Sequence, residues 1–170
     1  MSDSVRLEDL RRRIENDPAS IAFAQLAEEC RRLGQHQEAI DVCRRGLARH
    51  PSYLSARVTL GRALLHLDQL DAAQQELETV LEGAPQNLAA IRALGDVYWR
   101  RGDTTHAMAQ YRTAIRMAPN DPELERAIAE LSETVTRSAN ERENVRSRSL
   151  LATLEQWLAA VHVTRAQRSA

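Results

Sequence analysis

Two cysteines and five histidines are the residues here best suited to ligate a metal or attack a substrate, and their spacing argues against both. Cys30 and Cys43 stand 13 residues apart, which matches no zinc motif, and two thiols are too few for a disulfide framework. His36, His50, His66, His106 and His162 are scattered, no two of them at the three- or four-residue spacing that sets ligands on one helix face. No Gly-rich phosphate loop, nucleophile elbow or recognisable Ser, His and Asp context is present. The expectation is a protein that is not an enzyme and carries no cofactor and no metal. Guanidinium, carboxylate and indole groups remain, and their chemistry is recognition: they hold a partner without altering it.

The elements that must position those groups are helices. Only 4% of the 170 residues are aromatic, with 6 Gly and 5 Pro, while Ala, Leu, Arg and Glu dominate, a composition that favours helix over strand. A hydrophobic share of 43% against 28% charged is enough to bury one core. The net charge of -1 gives no positive field for phosphate backbones or acidic lipid. The runs Arg11 to Arg13 and Arg100 to Arg101 are neutralised by Glu8, Asp9, Glu15, Asp96 and Asp103, so no nucleic-acid partner is expected. All 23 basic residues are Arg, which with abundant Ala points to a bacterium with a GC-rich genome. No signal-peptide run and no membrane-length apolar stretch is found, so a cytoplasmic location without membrane insertion is expected.

A period of 34 residues organises the chain. Pro51, Pro85 and Pro119 lie 34 apart, and in the same register fall Leu26-Ala27, Leu60-Gly61 and Leu94-Gly95, then Cys30, Leu64 and Tyr98, then Ala39, Ala73 and Ala107, then Cys43, Leu77 and Tyr111. A Gly or Ala where two helices cross lets them approach, and the bulky column fills the space beside it. Gly34, Asp68 and Gly102 stand where each first helix must turn, Asp being tolerant of left-handed geometry.

These columns resemble the tetratricopeptide repeat. The resemblance covers residues 20–121 and implies an all-α, right-handed α-solenoid of three helical hairpins over 20–53, 54–87 and 88–121. Phe23, Arg57 and Ile91 depart from a frequent Trp, and Gly46 from a frequent Ala, departures expected to weaken single contacts. The family also implies a protein or peptide partner held on the face built by the first helix of each hairpin. The register puts Glu28, Arg31, Val58, Arg62, Leu65, Arg92, Asp96 and Trp99 on that face. Some relatives clamp a chaperone's terminal carboxylate with Lys and Asn side chains. The matching positions here are Ala24, Glu28, Thr59, Ala89 and Ala93, so that clamp is absent. Similar proteins of pilus assembly often start with a lipidated Cys, for which this sequence has no counterpart.

Flanking segments complete the layout. Residues 1–18, with Leu7, Leu10 and Ile14 at helical spacing, read as an N-terminal capping helix. Asn120-Asp121-Pro122-Glu123 is a strong helix start, and residues 122–137, with Leu124, Ile128, Leu131 and Val135, read as a C-terminal cap. Residues 138–149 are polar and read as a mobile or loosely helical linker, followed at 150–168 by an amphipathic tail helix with Leu150, Leu154, Trp157, Leu158 and Val161 on one face. Such a face needs cover, from this chain, from another protein or from a second copy in a homo-oligomer. Cys30 and Cys43 fall in packing columns and read as buried small hydrophobes.

Overall fold

The computed structural model describes the backbone of residues 3–168 and the side chains of residues 5–157. Eight helices and no strand occur among the described residues: α1 (Asp3–Asn16), α2 (Ala22–Arg32), α3 (His36–Leu47), α4 (Leu54–His66), α5 (Leu70–Gly83), α6 (Leu88–Arg100), α7 (Thr104–Met117) and α8 (Pro122–Arg168). The chain divides into two compact units, residues 1–128 and 129–170.

In the first unit α2/α3, α4/α5 and α6/α7 form three antiparallel hairpins, and α2, α4 and α6 pack side by side as a continuous inner row. Each hairpin turns in the same way. The second residue past the first helix is left-handed, Gly34 at φ 77°, Asp68 at φ 59° and Gly102 at φ 76°. Its amide and the next return to carbonyls inside the helix: Gly34 to Arg31 and Gln35 to Cys30, Asp68 to Leu65 and Gln69 to Leu64, Gly102 to Trp99 and Asp103 to Tyr98. This closure satisfies carbonyls that a helix end leaves without partners.

The repeat columns become the core. Ala27, Cys30, Ala39, Cys43, Ala73, Leu77, Ala107 and Tyr111 are all fully buried. A Cβ on Gly61 would meet Leu77 Cγ at 2.8 Å, and one on Gly95 would meet Tyr111 Cε1 at 2.7 Å, so glycine at these crossings is set by the large residue opposite.

The expected departures prove to be compensated. Phe23 is buried, and its ring occupies the space a Gly46 side chain would take, with the ideal Cβ only 2.0 Å from Phe23 Cδ2. The aromatic at 23 and the missing methyl at 46 are one exchange, and the ring also stacks on His50 at 5.9 Å. Arg57 is equally employed, holding Glu76 at 2.6 Å and the Pro51 carbonyl at 2.9 Å. Ile91 is buried in the core.

Helix α1 packs on α2 with Leu7 and Leu10 buried and Ile14 packed against the core, and Arg11 reaches Glu38 at 2.7 Å. Helix α8 starts at the foreseen signal: Asp121 Oδ1 accepts from the amides of Glu123 at 2.9 Å and Leu124 at 3.3 Å, and Pro122 occupies the first helical position.

Beyond that start the sequence reading needs correction. It expects a cap at 122–137, a linker at 138–149 and a tail helix at 150–168, and the structure instead runs one helix of 47 residues without interruption. No Gly or Pro follows Pro122 up to Arg168, and the supposed linker is built of helix formers such as Ala139, Glu141, Arg142, Glu143 and Arg146. Loss of an apolar stripe therefore does not end the helix. The expected cap stripe is partial: Leu124 and Leu131 are buried, while Val135 is exposed. In the second unit Val145, Leu150, Leu151, Leu154 and Trp157 are exposed. Leu158 and Val161, named for the tail face, lie outside the described side chains.

Candidate functional site

Register alone places one or two side chains of α2, α4 and α6 per turn on the inner row, and the structure sorts those foreseen for binding into two groups. Arg62, Leu65, Arg92, Asp96 and Trp99 line one open cavity of about 760 Å³ between α4 and α6, and Asp121 and Glu123 line it too. Glu28, Arg31 and Val58 do not line it. Val58, expected as an apolar anchor, is 7% exposed and belongs to the core.

Glu28 and Arg31 satisfy each other. The Arg31 Nε and Nη2 atoms donate to the two carboxylate oxygens at 3.0 and 2.6 Å, and the Thr59 hydroxyl donates at 3.1 Å. Burial alone would raise the Glu28 carboxyl, but these donors outweigh it and hold the group below its usual range.

Within the cavity most charges are also spoken for. Arg92 pairs with Asp121 at 3.5 Å and with Glu123; burial works against its charge, and the Glu123 carboxylate more than compensates. Arg100 donates to the Leu65 carbonyl at 2.7 Å, placing a cation on the C-terminal end of α4, where the helix dipole favours it. Asp96 accepts from the Tyr111 hydroxyl at 2.6 Å, yet burial still pushes its carboxyl above the usual range. Trp99 meets Tyr111 edge to face at 6.2 Å, which fixes the indole at the cavity wall.

Arg62 is the exception. Among the described residues its guanidinium makes no direct hydrogen bond or contact ion pair; burial and the neighbouring Arg31 lower its affinity for a proton, and the carboxylates of Glu28 and Asp96 oppose them in part.

Two groupings were not legible beforehand. His36 and His66, 30 residues apart, stack ring on ring at 4.3 Å and 4°, and the buried Nδ1 of His36 has no hydrogen-bond partner. Both rings sit at helix ends brought together by adjacent hairpins, a meeting that spacing within one helix could not signal. Asp121 and Glu123 read in the sequence as a helix start only, and their second role depends on α8 beginning beside α6.

The cysteines behave as hydrophobes. Burial pushes the Cys30 thiol up to about 11 and the Cys43 thiol up to about 12, and Cys43 Sγ lies 3.4 Å from the Ala56 carbonyl.

Paired helices at a 34-residue period, closed by one recurring turn and stacked through their first helices, define an all-α repeat solenoid. The tetratricopeptide repeat model matches residues 31–94 and again 72–131, and the chain belongs to that family. It is 26% identical over 127 residues to the tetratricopeptide repeat protein 21 homolog of Caenorhabditis elegans, covering 70% of this chain and 10% of that protein. It is 27% identical over 92 residues to the phagocyte signaling-impaired protein of Drosophila pseudoobscura pseudoobscura, covering 54% and 10%. The chain thus spans about a tenth of the length of these curated relatives.

Solved structures share the fold. MamA 41-end from Desulfovibrio magneticus RS-1 superposes with TM-score 0.66 at 21% identity, covering 84% of this chain and 87% of that one. A thermophilic TPR protein of Thermus thermophilus gives 0.69 at 24%, covering 79% and 75%. The first TPR of Spaghetti (RPAP3), bound to the HSP90 peptide SRMEEVD, gives 0.65 at 15%, covering 70% and 94%. No helix among the described residues is long and apolar enough to cross a membrane.

Proposed function

We propose that this chain is a protein-binding adaptor that holds a segment of a partner in the cavity between α4 and α6. The observation that carries this reading is the convergence of Trp99, Leu65 and Arg62 on one open cavity, a fixed aromatic and an unpaired guanidinium being the side-chain types that anchor interfaces. The family and the peptide-bound Spaghetti repeat support it. The mode is not that of a chaperone-tail clamp, because Ala24, Glu28, Thr59, Ala89 and Ala93 occupy those positions and Glu28 with Thr59 would repel or ignore a carboxylate.

The test is affinity capture from the native host with three baits: the full chain, the chain ending at Thr136, and a Trp99→Ala, Arg62→Glu variant. A partner retained by the first two and lost by the third supports the reading. A partner captured equally by all three sinks it.

A second reading rests on the second unit, where Leu150, Leu154 and Trp157 are 58%, 55% and 63% exposed. Such a face would be covered in a homo-oligomer. Light scattering on the full chain and on the chain ending at Thr136 decides it: a mass that is monomeric and independent of concentration for both removes this reading.

A further inference from the structure

Charge pairing inside the cavity leaves one group over. Asp121 and Glu123 engage Arg92, the Tyr111 hydroxyl engages Asp96, and Arg100 donates to the end of α4. Arg62 alone projects a half-buried guanidinium that makes no direct hydrogen bond or ion pair among the described residues, with Glu28 and Asp96 acting on it only at longer range. A guanidinium in that position keeps its donors open to the cavity, where an acceptor on a ligand can take the place of water.

Resting on the adaptor reading, we propose that the cavity selects a partner segment bearing a single carboxylate, an Asp or Glu side chain, beside an apolar residue. The carboxylate accepts from the fork of Arg62, and the apolar neighbour lies on Trp99 and Leu65. Planar two-point pairing suits guanidinium and carboxylate. A dianionic phosphate fits less well, because Asp96, Asp121 and Glu123 line the same cavity and a second negative charge doubles the repulsion they exert on the ligand. The positions differ from those of the chaperone clamp, since Arg62 lies one turn beyond Thr59 on α4.

A library of random dodecamer peptides displayed on phage is selected against the full chain, and the affinities of the enriched peptides are measured by calorimetry. The expected peptides share one Asp or Glu beside an apolar residue. Replacing that acid by its amide, or Arg62→Gln in the protein, weakens binding by roughly tenfold or more. The two changes together cost little more than either alone, the signature of a direct pair. Arg62→Gln leaves the thermal midpoint nearly unchanged, since the side chain makes no direct hydrogen bond or ion pair in the free protein, which separates a binding role from a structural one. Peptides that lose binding on Trp99→Ala but need no acid, or that prefer phosphoserine, overturn the carboxylate inference and leave the adaptor reading standing. Peptides indifferent to both Trp99→Ala and Arg62→Gln overturn the two together.

Discussion

Phe23 and Gly46 are coupled through space, because the ring fills the volume a methyl at 46 would claim. Gly46→Ala is expected to destabilise by about 1–3 kcal/mol through overpacking. In a Phe23→Leu background the same change costs markedly less, and urea unfolding of the four proteins in the cycle would show it; strictly additive costs would refute the coupling. The thiols make a second residue-scale prediction. With Cys30 at about 11 and Cys43 at about 12, almost no thiolate exists at about pH 8 in the folded chain, so a thiol reagent reacts only as fast as the protein opens. Two equivalents taken up promptly by native protein would contradict that. His66 adds a pH effect: burial first, then His36 and nearby arginines, hold its imidazole below 6.5. The unfolded chain therefore takes up the proton before the folded one, so this contribution is present above about pH 6.5 and declines as pH falls through the window below it. His66→Gln should flatten stability against pH in that window, as measured by urea midpoints from about pH 7.5 to 5.

At the scale of elements, the three identical turns and the α8 start are the local devices that set helix ends. Asp121→Ala removes the acceptor for the Glu123 and Leu124 amides and should cost about 0.5–2 kcal/mol in thermal or urea unfolding. These devices were legible because each is a short-range rule: a left-handed residue after a helix, a carboxylate before Pro. The columns of small and bulky residues were legible through their period. What spacing missed were meetings between elements. The Phe23 and Gly46 exchange, the His36 and His66 stack and the second role of Asp121 each join residues 23 to 30 positions apart whose contact exists only after hairpins pack. The run at 138–149 misleads for another reason: it lacks an apolar stripe, but a stripe reports burial rather than helix, and uninterrupted helix formers carry the backbone through. Val145→Pro should lower the helical circular-dichroism signal while leaving the unfolding midpoint of the first unit where it was; a lowered midpoint would mean that the two units are not thermodynamically separate.

For the whole molecule, the first unit is assembled by contacts between neighbours, each hairpin resting on the next through α3 against α4 and α5 against α6 as well as through the row of α2, α4 and α6. Stability in such a row grows as a sum of hairpins and the interfaces between them. A further 34-residue copy inserted between residues 87 and 88 would find α5 behind it and α6 ahead of it in unchanged register, so the row would simply lengthen. Arg62 and Trp99, however, would then stand on helices no longer adjacent, and the cavity they share would be split between two new interfaces. Duplication is open to this architecture as a route to longer chains, but it is closed to the site: growth before α4 preserves it, growth between α7 and α8 carries off its Asp121 and Glu123 wall, and growth between α5 and α6 erases it in one step.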